Sequence, residues 1–449
     1  ANLEVGHPPG APLFQMLGAF FAMFAFSPDK IALMVNYLSV FSSAFTILFM
    51  FWSLTLLMKR ILNTNEDASN SNNIMILGSA FIASLSFTFT DSFWFNAVEA
   101  EVYAMASFLI ALLFWLGLRW EQEIDTPRGN KWLLIISLVI GLSFGVHFMA
   151  LLTFPAIGFL YFFKKYKNIT VKSFLLANVV IAAILLFIFK LLLPYTLGFF
   201  GKTEIFMVNS LGLPFNSGTI FAFVFIVVAF YFGLNYTKKK GHVFYNTLIL
   251  ATLFILIGFS TWLMLPIRAN ADTPINENKP SDAAEVLAYY NREQYGEQKL
   301  FYGPQFSETY AGLDATTPYL DDKPNYERDY ATGKYVIINN YKNAKQNTDD
   351  AHKALLPRMW STDHNENYMV FGKPLEFRIN PEYSHEDELV ELVTEFRKAY
   401  NNGDVDLSDY HKFLKEYGQY LIIDKPSFAT NIKFMVQYQF GYMYLRYLL

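Results

Sequence analysis

Two carboxylates, Glu99 and Glu101, lie in the stretch Asp91 to Tyr103, DSFWFNAVEAEVY, between two strongly apolar runs. A carboxylate at the low-dielectric rim of a membrane can take a proton from a hydroxyl or hold a sugar hydroxyl. On a helix begun at Val98 the two acids would diverge by about 200°. Glu99 and Tyr103, four apart, would then share a face and place Tyr103 among substrate-binding candidates. Acids in a first helical turn would equally complement the helix dipole. The residue types leave both readings open.

Other polar residues stand out against apolar surroundings. His147 breaks the run Gly141 to Phe154 and could donate to a phosphate or sugar oxygen, or be satisfied by a neighbouring carbonyl. His7, in VGHPPGAP, is a substrate-binding candidate or a turn-stabilising residue. Lys190, about one turn from the end of an apolar run, either snorkels or meets a lipid phosphate. Arg268, in LPIRAN, stands where an anionic headgroup would sit, and Asn270 follows it as a substrate-binding candidate. Arg358 and Trp360, in LPRMWS, offer the charged fork and aromatic face that suit carbohydrate, or a surface ion pair and a core ring. No His pair has metal-ligand spacing, and no G-x-S-x-G, H-E-x-x-H or Gly-rich phosphate loop appears. The sequence requires no cofactor and leaves a divalent metal undecided.

The elements that position these residues are apolar. Hydrophobic residues make up 53% of the chain and aromatic ones 18%, too much for an ordinary soluble domain. Repeated apolar runs near the roughly 20 residues that cross a bilayer predict a polytopic α-helical membrane protein with a C-terminal extracytoplasmic α+β domain. Residues 1–30 read as an external loop with a short interfacial helix, 31–266 as a membrane domain, and 267–449 as a soluble domain. A net charge of −4 carries no nucleic-acid footprint, and the absence of cysteine excludes a disulfide framework.

Eight crossings are expected: Ile31 to Met58, Ile74 to Thr90, Val98 to Leu118, Lys131 to Val146, Phe148 to Phe163, Ser173 to Leu193, Phe215 to Tyr236 and Val243 to Leu265. Alternating them puts Lys59-Arg60, Arg119 to Lys131, Lys164 to Lys172 and Lys238 to Lys240 on one side, which the positive-inside rule makes cytoplasmic. The candidate residues all fall on the other side. The Asn/Ser-rich stretch Asn63 to Asn73 reads as a solvated cytoplasmic loop. Tyr326 to Tyr341 alternates around Ala331-Thr332-Gly333-Lys334 and predicts a hairpin. Asp387 to Tyr400 and Leu407 to Tyr417 have helical spacing. Asn431 to Leu449 reads as an aromatic amphipathic helix on the membrane surface or against the domain, with a ninth span as the alternative.

Five segments carry a resemblance: VGHPPGAPLFQMLG (Val5 to Gly18), WFNAVEAEVYAM (Trp94 to Met105), GVHFMALLTFPA (Gly145 to Ala156), IRANADTPINENKP (Ile267 to Pro280) and NREQYGEQKLFYGP (Asn291 to Pro304). In order and content they resemble a Bacteroidota-rich membrane-protein family similar to the protein O-mannosyltransferases of the GT-C glycosyltransferase superfamily. The resemblance implies a GT-C-like fold in the bacterial inner membrane, with the C-terminal domain in the periplasm. It implies a polyprenyl-phosphate sugar as donor and a Ser or Thr of an exported protein as acceptor. It also implies an acidic D-x-G-E-F motif shortly before VGHPPGAP. The chain begins after that point, so the main base is expected upstream of Ala1, with Glu99 and Glu101 accessory, and truncation is expected at both ends.

On this reading Lys190, Arg268 and His147 hold the donor phosphate, and His7, Tyr103, Asn270, Arg358 and Trp360 contact substrate. Membrane lipids, the lipid-linked sugar, the acceptor protein and the protein-translocation machinery are the expected partners. Two other readings are a non-catalytic subunit docked on an export or envelope complex, and a glycan polymerase or ligase. The cysteine-free chain allows a direct topology test. With Asn96→Cys, a membrane-impermeant maleimide is expected to label intact cells; with Lys239→Cys, only permeabilised ones. The reverse pattern would invert the orientation.

Overall fold

A computed structural model describes residues 2–62, 70–126, 128–295 and 301–447. The chain forms two compact units, Ala1–Tyr295 and Gly296–Leu449. The first therefore extends beyond the expected boundary at Pro266, because Val286, Tyr289 and Tyr290 are buried in its core.

Among its described residues the first unit is mainly helical. Its α-helices are α1 (Pro12–Ala22), α2 (Ile31–Ile61), α3 (Asn70–Thr88), α4 (Asp91–Ala97), α5 (Val102–Glu123), α6 (Gly129–Ser143) and α7 (Phe154–Lys165). After them come α8 (Val171–Leu186), α9 (Leu193–Asn209), α10 (Ser217–Lys239), α11 (Val243–Phe259), α12 (Met264–Ala269) and α13 (Ala283–Asn291). Among the described residues six helical stretches are long and apolar enough to cross a membrane. The pair α3 and α4, bent by 70°, makes a seventh as one broken span. The eighth expected crossing, α6, has only 15 residues, about 22 Å of helix. The Asn63 to Asn73 loop lies outside the described residues over 63–69, and Asn70 onward is already helix.

Two boundaries differ from expectation. The helix that begins at Val171 does not stop before Pro194 but runs to Asn209, 39 residues through a π turn at Phe187–Leu192. Pro194 follows this π turn directly, and its missing N–H removes one bond from the ladder without ending the helix. The connection expected at Tyr195–Pro214 thus shrinks to the residues between Asn209 and Ser217. The helix expected from Val98 starts at Val102, after an irregular turn through Glu99 and Glu101.

The expected cation clusters meet acids at one end. Glu121 of α5 pairs with Arg60 of α2 and, at 3.7 Å, with Lys164 of α7. Glu123 takes Arg119 at 3.1 Å and Lys131 of α6 at 3.5 Å, and Lys165 pairs with Asp125, whose carboxyl that hydrogen bond holds below its usual range. The C-terminal halves of α6 and α11 pack against each other at Gly141 and Gly258. Lys131 and Lys238 to Lys240 therefore enter their helices from the same side.

The second unit is α+β. It contains β1 (Tyr302–Pro304), α14 (Glu308–Ala311), β2 (Tyr319–Leu320), β3 (Asn325–Asp329), β4 (Lys334–Asn339), β5 (Lys345–Gln346) and β6 (Lys353–Leu355). It continues with α15 (Asn365–Phe371), β7 (Phe377–Ile379), α16 (Asp387–Asn402), α17 (Leu407–Tyr417), β8 (Leu421–Ile423) and α18 (Phe428–Phe434). The strands form antiparallel pairs β1 with β6, β2 with β5, β3 with β4 and β7 with β8. The expected hairpin is β3 and β4, with Gly333 at φ +68° in its turn. The two expected helices are α16 and α17, separated by Gly403 at φ +82° and joined by stacking of Phe396 on Phe413 at 3.7 Å. The aromatic tail lies partly against its own domain, where Tyr438 packs 4.3 Å from Phe371, while Phe440 and Tyr444 remain exposed.

The α6 and α11 contact admits no side chain: a Cβ on Gly141 would lie 2.2 Å from the Ile255 carbonyl oxygen, and one on Gly258 2.5 Å from that of Leu138. Close approach of glycine faces is a common basis of helix association in membranes. Gly141→Ala is expected to cost about 1–3 kcal/mol by overpacking, seen as a lower thermal midpoint in detergent. Gly78→Ala, with nothing within 4 Å, is expected to leave it unchanged or slightly raised.

Candidate active site

Three breaks in the helical fold converge at the end of the first unit opposite the ion pairs. The first is the N-terminal segment. Val5 is fully buried and bridges in parallel to Asn276: its N–H donates to Ile275 O at 3.0 Å, and its carbonyl accepts from Glu277 N–H at 3.0 Å. The following turn contains a cis Pro8-Pro9 bond and closes with Gly10 N–H donating to His7 O at 3.0 Å. Gly10 has φ +67°, and a Cβ there would lie 2.7 Å from the Tyr289 hydroxyl oxygen. Tyr289 donates that hydroxyl to Gly6 O at 2.6 Å.

The second break is the corner after α6. The Gly145 carbonyl accepts the N–H groups of both Leu13 and Phe14, at 2.8 and 3.2 Å. It thus satisfies donors of the first turn of α1, whose N-cap, Ala11, has no side chain able to do so. Gly145 must be glycine, because a Cβ would lie 2.6 Å from Thr261 Oγ1 and 2.8 Å from Leu13 Cβ. The third break is the end of α11, where Trp262 donates its indole N–H to Phe144 O at 2.9 Å. Beyond it Arg268 Nε donates to Leu3 O, and Asn276 donates to Ala269 O at 2.8 Å.

His147 lies at the centre of the corner. Its Nδ1 accepts the Met149 N–H at 3.1 Å, so the neutral ring carries its proton on Nε2. The Tyr103 ring is 5.5 Å away. The half-buried imidazole has its pKa lowered by desolvation. Phe148 then packs on Phe189 at 5.2 Å, and Lys190 Nζ lies 5.0 Å over the Phe189 ring. Lys190 therefore adjoins the corner through two aromatic contacts, with its side chain exposed.

The remaining candidates divide. Glu99 and Glu101 are not on a common helix: both precede α5, Glu101 is an extended N-cap without a side-chain cap bond, and Glu101 N–H donates to Glu99 O at 2.9 Å. Glu99 therefore shares no helical face with Tyr103, whose ring lies against His147 instead. Among the described residues neither carboxylate has a hydrogen-bond or ion-pair partner. His7 is exposed, its turn being held by its backbone carbonyl. Asn270 is spent on structure, donating to Pro266 O and Ser281 O at 2.8 Å each. Arg358 and Trp360 belong to the second unit; there the Arg358 N–H donates to Asn431 Oδ1 at 2.8 Å, and Trp360 is partly exposed. Among the described residues no group of three His, Cys, Asp or Glu could hold a metal ion.

Sequence reasoning missed Glu204, which is 3% exposed. It accepts Asn216 N–H at 2.6 Å and Thr219 N–H at 2.8 Å, capping α10 from a neighbouring helix. It also missed Tyr289 and Tyr290. The only local signal was the capping box of α13, formed by Asp282 and Glu285, which marks a well-defined helix start.

The depressed His147 pKa has a signed consequence. As pH falls below about 6.5 the unfolded chain takes up a proton that the folded state resists, so stability falls with pH until the folded pKa is passed. His147→Asn keeps an acceptor for the Met149 N–H but cannot titrate. Between pH 7.5 and 5.5 the thermal midpoint of this variant is expected to fall less than that of the parent. Parallel curves would contradict the assignment.

No curated protein and no solved structure matches the chain. Residues 296–436, which make up most of the second unit, match a family of unknown function, DUF8416. Residues 1–170 match the family described as the protein O-mannosyl-transferase TMEM260 N-terminal domain. The part of the chain that holds the Val5–Gly10 turn, Glu99, Glu101, Tyr103 and the His147 corner is therefore similar to protein O-mannosyl-transferases.

Proposed function

We propose that this protein is an integral-membrane glycosyltransferase that moves a sugar from a polyprenyl-phosphate donor to Ser or Thr hydroxyls of exported proteins. The observation that carries the reading is the joining of the VGHPPGAP turn, the His147 corner and Arg268 in one hydrogen-bonded scaffold, within a chain whose first 170 residues resemble protein O-mannosyl-transferases.

In the proposed reaction the acceptor oxygen attacks the anomeric carbon with inversion. The bond from that carbon to the phosphate oxygen breaks, and its electron pair leaves on the lipid phosphate. Cations already in place stabilise that charge as it develops. Arg268 suits this role because its Nε is fixed on Leu3 O while its terminal nitrogens have no partner among the described residues. Lys190 adds an exposed ammonium. His147, neutral with its proton on Nε2, adds a donor that does not depend on charge. The hydroxyl proton passes to an aspartate that the resemblance places N-terminal to the VGHPPGAP segment. Glu99 and Glu101 shape the acceptor side.

The test replaces Arg268→Ala, Glu99→Gln and Glu101→Gln singly in the full-length protein and follows glycosylation of exported proteins by mass spectrometry. Arg268→Ala is expected to lower transfer roughly 100-fold, and the two Gln variants to lower it less. Unchanged occupancy in all three would overturn the site assignment.

A further inference from the structure

The π turn that carries Lys190 contains a backbone defect. Within Phe187–Leu192 the ladder steps by five residues, and Leu193 N–H donates to Ile188 O. The next bond in that register would run from residue 194 to Phe189 O. Residue 194 is proline and has no N–H. The α-helical partner of Phe189 O would be Leu193 N–H, which Ile188 already holds. The Phe189 carbonyl therefore has no donor within its own helix.

Tyr290 supplies one. Its hydroxyl donates to Phe189 O at 2.8 Å, and its ring packs 5.9 Å from Phe189 and 5.3 Å from Trp262. The ring is 4% exposed, so water cannot readily take over the task. The adjacent Tyr289 points elsewhere, to Gly6 O. Consecutive residues on a helix diverge by about 100°, so α13 braces the His7 turn with one tyrosine and the Lys190 turn with the other. The small face of α9 at Gly201, where a Cβ would lie 3.3 Å from Ala284 N, lets α13 approach closely.

We infer that Tyr290 is a positioning residue: it replaces the backbone donor missing at Pro194 and so fixes the π turn that presents Lys190 to an anionic phosphate. The Lys190 part of this inference rests on the proposed function, whereas the hydrogen-bond part does not.

The experiment uses the full-length protein in lipid nanodiscs, with thermal unfolding and binding of polyprenyl phosphate as separate readouts. Tyr290→Phe is expected to lower the unfolding midpoint and to weaken polyprenyl-phosphate binding several-fold. Pro194→Ala restores an N–H at the required position, and in the Tyr290→Phe background it is expected to recover both readouts. Tyr289→Phe is expected to lower the midpoint without being rescued by Pro194→Ala. No loss in Tyr290→Phe, no rescue by Pro194→Ala, or equal rescue of Tyr289→Phe would overturn the inference. Thermal rescue in a protein that binds no polyprenyl phosphate in its parent form would uphold the hydrogen bond and reject the positioning of Lys190 together with the proposed function.

Discussion

The carbonyl oxygen of Gly145 accepts two N–H groups from the first turn of α1, and this pair of hydrogen bonds joins the N-terminal segment to the end of α6. At membrane depth there is little water to satisfy a broken backbone, so each irregular stretch must find its partners within the protein. The chain meets that requirement by setting its irregular stretches against one another. Val5 lies along Asn276, Trp262 reaches Phe144 O, and Arg268 reaches Leu3 O. Each break therefore depends on the others, and the polar residues they carry are held in fixed relation.

The two ends of the first unit obey different rules. At one end charge is abundant and cancels within the protein, as Glu121, Glu123 and Asp125 meet cations from several helices. At the other end, the cations and acids form no ion pairs with one another among the described residues. Lys190 rests on an aromatic ring, Arg268 holds a carbonyl, and Glu99 and Glu101 have no partner among the described residues. An unneutralised cation in apolar surroundings is costly to maintain. Under the proposed function, binding an anionic lipid phosphate offsets that cost.

Much of this architecture was legible in the sequence because its signals are local. Apolar runs and terminal Lys clusters marked the crossings, and helical spacing with the Asn401-Asn402-Gly403 break marked α16 and α17. Errors arose where a local signal has two meanings. Pro194 reads as a terminator, yet the helix continues through it because the Tyr290 hydroxyl supplies the donor that Phe189 O would otherwise lack. Glu101 reads as a first-turn acid, yet it is an extended N-cap that makes no cap bond, a distinction that residue type does not encode. Asn270 reads as a substrate amide, but it holds carbonyls 4 and 11 residues away. Tyr289, Tyr290 and Glu204 were missed for a third reason: their partners are distant in the chain or lie across a helix boundary, and no spacing rule reports them.

The interlocked breaks are tested most directly by amide hydrogen exchange of the full-length protein in lipid nanodiscs. The amides of Val5, Leu13, Phe14 and Glu277, all outside regular helical bonding but bonded across the scaffold, are predicted to exchange slowly and to lose protection together when Gly145 is replaced by Val. Exchange at the rate of the exposed turn around Phe26 and Ser27, or loss of protection confined to Leu13 and Phe14, would contradict a single preorganised scaffold.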